Sequence, residues 1–155
     1  NWQRVDGVDI SEGNIDKCKE LYASQPSEWY CNNGTDLAEL KSEEYDFVMS
    51  TVVLQHIPVH EIRTSLLKEM HRVLKSGGVL SIQMAFGPQE GARALYFDNI
   101  YEAQGTNSMH DIRVTSVDDV KSDFESMGYT NVTCTVRDSF SDTQHPQWVY
   151  IRAEK

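Results

Sequence analysis

Apolar side chains recur along this chain in two rhythms, one of period two and one of period 3.6, and the two alternate. The stretch RVDGVDI (residues 4–10) reads as a strand that carries an acid, Asp9, at its end. Ser11 follows as a helix cap. Glu12 favours the first turn, Gly13 weakens it, and Ile15, Cys18, Leu21 and Tyr22 then share one face turned to a sheet. After the polar break SQPS comes EWYCNNG, a short strand stopped by Asn33-Gly34. YDFVMSTVVL (residues 45–54) is a continuous apolar run rich in β-branched residues, the signature of a strand covered on both faces. Pro58 suits a first helical turn, and Val59, Ile62, Leu66, Leu67, Met70, Val73 and Leu74 make an amphipathic stripe. Gly77-Gly78 is expected to stop that helix, and VLSIQM (residues 79–84) to start another buried strand.

Residues 86–113 keep no steady period and read as an insertion or lid. Order returns at Ser116-Val-Asp-Asp119, a capping-box spacing, with Val117, Val120, Phe124 and Met127 at helical intervals and Gly128 closing the helix. Two strands, 131–136 and 148–153, end the chain around a polar turn and are expected to pair antiparallel. Alternation followed by two closing strands predicts an α/β sandwich, mostly parallel with an antiparallel edge, as one domain over residues 1–155.

Charge narrows the partners. Lys and Arg number 14 against 24 Asp and Glu, a net charge of −10, which argues against nucleic acid. No apolar run approaches the roughly 20 residues a membrane span needs, and the start does not resemble a secretory signal. Cys18, Cys31 and Cys134 are odd in number, widely spaced and unsuited to zinc, so a reducing cytoplasm and no metal site are expected. The triplets at Asn33 and Asn131 match glycosylation acceptors, a match frequent by chance. The first residue is Asn, as in a processed or truncated product.

In order and spacing, the segments GVDIS, NGTDL, YDFVMSTVVLQHIP, LKSGGVLSIQM and WVYIRAEK together resemble the class I S-adenosylmethionine-dependent methyltransferases, a type 11/12-like domain. The resemblance covers nearly the whole chain. It implies a Rossmann-like sandwich matching strands two to seven of a seven-strand sheet. The first strand, its GxGxG-like loop and the first helix have no counterpart here. Asp9 is then similar to the acid that holds both ribose hydroxyls, a task two carboxylate oxygens suit; the alternative is an acid at the helix start, favourable to its dipole. Asp6, by alternation, points the other way and is expected to be exposed. The resemblance further implies Ile10 against the adenine ring, Asp36 on the adenine amino group and Leu37 beside it. A loop acid at Asp36 is also an ordinary turn residue. Ser50 and Thr51 would meet the methionine part of the cofactor by their backbone.

Gln55 and His56 follow directly and could face the transfer site; His56 is the candidate catalytic residue, with packing or capping as its alternative. Transfer from an activated sulfonium, which leaves S-adenosylhomocysteine, needs mainly alignment. A general base matters only for a protonated acceptor of high pKa, with His56, His110 and Asp111 as candidates and Tyr96 and Tyr101 as wall residues. His60 and His71 read as structural. The acceptor expected is a small molecule. Loss of a central strand would split the sheet and leave two edges unpaired. A fragment of a longer protein, a strand supplied by another copy through those edges, and a closed-up, inactive relic are the three explanations, the fragment being favoured. The competing functions are an inactive methyltransferase-like interaction scaffold and a nicotinamide-dependent oxidoreductase, whose second strand also ends in an acid.

Overall fold

The structure, a computed structural model, describes residues 2–57, 59–87, 112–140 and 145–155. Its elements run β1 (Gly7–Asp9), α1 (Glu12–Leu21), β2 (Trp29–Cys31), β3 (Tyr45–Thr51), a 3-10 turn (Leu54–His56), α2 (His60–Val73), β4 (Leu74–Phe86), α3 (Val117–Ser126), β5 (Thr130–Asp138) and β6 (Gln147–Glu154). Two helices start where their caps predict: the Ser11 hydroxyl accepts from the Asn14 amide at 3.3 Å, and that of Ser116 from the Asp119 amide at 3.2 Å. Pro58 and residues 88–111, the body of the expected insertion at 86–113, lie outside the described residues.

The strands form two sheets. β1 and β2 pair in parallel; the second sheet has the order β3-β4-β6-β5, with β3–β4 parallel and the other two ladders antiparallel. The described sheet is thus evenly mixed, an α/β sandwich with an antiparallel carboxyl-terminal strand. Its split falls between β1 and β3, where the resemblance leaves out a strand.

One apolar core joins α2, α3 and the larger sheet. Leu66, Leu67, Met70 and Val73 of α2, Leu80, Ile82 and Met84 of β4, Val120 and Phe124 of α3, and Val149 and Ile151 of β6 are all buried together. Each such side chain contributes on the order of 1.5–3 kcal/mol relative to exposure. Among the described residues no helix is long and apolar enough to cross a membrane, a statement about helices and not about β-barrels.

Several expectations are corrected. The 45–54 run is not one strand: β3 ends at Thr51, Val52 turns to φ +63°, and a 3-10 turn follows. Nor is β3 covered on both faces, since Met49 is 67% exposed. Gly77-Gly78 does not stop α2, which ends at Val73 because Leu74 is already extended and pairs with Tyr45. Leu21 and Tyr22 stay exposed, as a platform of two three-residue strands is too small to cover more of α1 than Ile15.

Asp6 is the largest departure. Its side chain is 3% exposed, and it accepts from Arg4 Nε at 2.8 Å, the Glu28 amide at 2.8 Å and the Tyr45 hydroxyl at 2.7 Å. These bonds gather the amino ends of β1, β2 and β3, and so tie the two sheets together.

Candidate active site

β1 and β2 run in register, Asp9 opposite Cys31, so the loops after them leave the same end of the sheet. Asn32 links the loops: its backbone amide donates to the Asp9 carbonyl at 3.1 Å and its side-chain amide to the Asp36 carbonyl at 2.8 Å. Gly34, at φ +81°, lets the second loop fold over Ile10, whose Cγ2 would lie 3.2 Å from a Cβ added there. Asp9 and Asp36 therefore share one rim.

Asp9 already has local partners. Its Oδ1 accepts from the Ser11 amide at 2.8 Å and its Oδ2 from Asn14 Nδ2 at 3.3 Å, so it also orders the start of α1. An ionised carboxylate has about four lone-pair sites, and each oxygen keeps acceptor capacity for a ligand hydroxyl. Asp36 accepts from Asn33 Nδ2 at 2.8 Å and the Ala38 amide at 3.1 Å. The Asn33 amide first, and the Ala38 N–H next, hold its carboxyl below the usual range, so it is an acceptor at neutral pH. Ile10 stands beside these acids 70% exposed, a large apolar side chain left in solvent.

Leu37 goes the other way. Its side chain lies in the core, its N–H donates to Glu69 Oε2 at 3.3 Å, and its carbonyl accepts from Arg72 Nη2 at 2.8 Å. Arg72 also grips both Glu69 oxygens, at 2.8 and 2.7 Å, and the Leu40 carbonyl at 2.9 Å. Leu37 thus anchors the Asp36 turn to α2 and turns no apolar face to the rim. This fork was missed in the sequence.

Ser50 and Thr51 end β3, opposite Ile82 and Gln83 of β4. The bond from Tyr45 to Asp6 puts the amino ends of β1 and β3 together. Ser50 is buried and Thr51 exposed. The next two polar residues separate: Gln55 is 1% exposed, its Oε1 accepting from the Ala85 amide at 3.0 Å, whereas His56 is exposed at the end of the 3-10 turn.

The remaining candidates divide simply. His60 Nε2 lies 3.3 Å from Thr64 Oγ1, and His71 Nε2 lies 3.3 Å from the Gly128 carbonyl with its ring edge-on to Tyr129. Tyr96, Tyr101, His110 and Asp111 lie outside the described residues. The Asp6 hub was missed, although Arg4 two residues before it, on the same side of an extended chain, was a legible signal.

A family model described as a methyltransferase domain matches residues 1–82, just over half of the 155. Solved structures with this fold include a possible exported protein from Bordetella parapertussis (16% identity, TM-score 0.67, covering 98% of this chain and 53% of that one). A SAM-dependent methyltransferase from Methanosarcina mazei aligns at 17% identity with a TM-score of 0.73, covering 98% of this chain and 82% of that one. The N-methyltransferase NodS from Bradyrhizobium japonicum, solved with S-adenosyl-L-homocysteine, aligns at 13% with a TM-score of 0.67, covering 98% and 66%. The chain thus spans about half the length of the first of these and 66% of NodS. None of the curated proteins matches it. With the order of its strands and the family match in agreement, the chain belongs to the methyltransferase-domain family.

Proposed function

We propose that residues 1–155 form one S-adenosylmethionine-dependent methyltransferase domain acting on a small-molecule acceptor. The observation that carries this reading is the rim where Asp9 and Asp36 meet beside an exposed Ile10. Asp9 would receive the ribose hydroxyls, Asp36 the adenine amino group and Ile10 the face of the ring; the backbone at Ser50 and Thr51 would meet the methionine portion. Leu37 supports this set from the core by fixing the Asp36 turn. When bound, the cofactor supplies a methyl group activated on a sulfonium, and alignment of the acceptor supplies most of the acceleration. His56, exposed past the end of β3, is the described side chain we assign to a proton on the acceptor.

The net charge of −10 favours a small acceptor over nucleic acid, and the three thiols, free in the structure, suit a cytoplasmic setting. A second reading, an inactive methyltransferase-like scaffold, draws on the split sheet: β1 and β3 each offer an edge that is unpaired among the described residues, where the omitted strand or a second copy could pair. Incubation with methyl-labelled S-adenosylmethionine and a cell extract separates the two. Label appearing in the low-mass fraction is expected. Label confined to nucleic acid or protein contradicts the small acceptor, and no transfer at all favours the scaffold.

A further inference from the structure

β3 and β4 part company abruptly. Their register runs from Phe47 opposite Val79 to Thr51 opposite Gln83 and stops, whereas β4 continues to Phe86. The last ladder bond is from the Val52 amide to the Gln83 carbonyl, 3.1 Å. At Val52 the backbone then enters the left-handed region, φ +63°. A β-branched residue is a true outlier there, because its Cβ substituents crowd the backbone. Glycine or asparagine would make the same turn with less strain. Such strain persists only where the surroundings impose it, and it concentrates at functional sites.

The surroundings are visible. Beyond Gln83 the next amide of β4 facing this edge, Ala85, donates at 3.0 Å to the Gln55 side-chain oxygen, and the Ala85 carbonyl accepts from Val114 at 2.9 Å. The Gln55 carbonyl in turn accepts from the Ile112 amide at 3.0 Å. A buried side-chain amide has taken the place that a continuing β3 would have filled. The strand is turned out at Val52 and locked out at Gln55.

We infer that Val52 and Gln55 are positioning residues, holding the carboxyl end of β3 away from β4 so that the Ser50–Thr51 backbone is presented to the amino-acid end of the cofactor. This rests on the methyltransferase reading above. It separates the rim into two halves: Asp9 and Asp36 for the nucleoside, and the turned-out end of β3 for the remainder.

Calorimetry of the full chain with S-adenosylhomocysteine and, separately, with adenosine tests the division. Val52→Pro sets φ near −65° and removes the last ladder donor. It is expected to weaken S-adenosylhomocysteine about tenfold or more while adenosine changes less than about twofold, a tenfold loss matching one lost buried hydrogen bond. Val52→Asn tolerates the left-handed turn, and should keep S-adenosylhomocysteine affinity while raising the urea midpoint. Gln55→Met, which removes the acceptor for the Ala85 amide, should repeat the selective loss. Parallel loss of both ligands, no loss in either disruptive variant, or a lowered midpoint in Val52→Asn overturns the inference. If the unsubstituted chain binds neither ligand, the methyltransferase reading fails first and this inference with it.

Discussion

The Asp6 carboxylate sits where three strands begin, and its chemistry follows from that place. Burial pushes its pKa up, but the Arg4 guanidinium, the Glu28 amide and the Tyr45 hydroxyl outweigh burial and leave it below the usual range. Asp6 also raises the Tyr45 phenol, after burial as the first cause. A carboxyl held lower in the folded state than in the unfolded chain stabilises above the unfolded value, about 3.9, and that stability is lost as pH falls through the folded value. Urea titrations from pH 7 down to pH 2 are therefore expected to show a steeper acid loss for the natural chain than for Asp6→Asn. Asp6→Ala should cost about 1–2 kcal/mol at pH 7, since it removes the acceptor of the half-buried Tyr45 hydroxyl and of two further donors. Parallel acid profiles would mean that Asp6 is not the hub. Alternation along residues 4–10 predicted Asp6 on the solvent side, and that inference assumes one buried face per strand. Here the other face is closed by Tyr45, 39 residues away, a contact no local period can reveal.

Arg72 fastens the loop that carries Asp36. Its fork on Glu69, together with its bonds to the Leu37 and Leu40 carbonyls, joins α2 to the chain between β2 and β3. Arg72→Met should cost about 1–3 kcal/mol and speed hydrogen exchange at residues 37–44 ahead of the α2 core; uniform exchange would contradict a local lock. The β1–β2 pairing has its own tight point: a Cβ at Gly7 would fall 2.4 Å from the Trp29 ring. Gly7→Ala is expected to destabilise by about 1–3 kcal/mol in thermal melts, and an unchanged midpoint would show that Trp29 can move aside. The stripe on α2 was legible because Leu66, Leu67, Met70 and Val73 face one core at helical spacing. The true end of that helix was not. Leu74 leaves it to pair with Tyr45, and this long-range ladder overrides the Gly77-Gly78 signal. Likewise the apolar 45–54 run hid the turn at Val52, because composition records burial and not the sign of φ.

Across the molecule, the order of the elements and the split between β1 and β3 could be read from the segments resembling the methyltransferases, since a parallel sheet that lacks a central strand must fall into two. The shared rim was also legible, as Asp9 ends one short strand, Asp36 follows the next, and the two strands pair in register. What could not be read was the division of labour around it: Leu37 directed inward, Gln55 buried, His56 outside. The rim is the claim on which the functional account stands, and isothermal titration of the 155-residue chain with S-adenosylhomocysteine measures it directly. Saturable heat is expected, weakened about tenfold or more by Asp9→Asn and again by Asp36→Asn, each substitution removing one charge-assisted acceptor. Absence of binding, or binding indifferent to both substitutions, would contradict it.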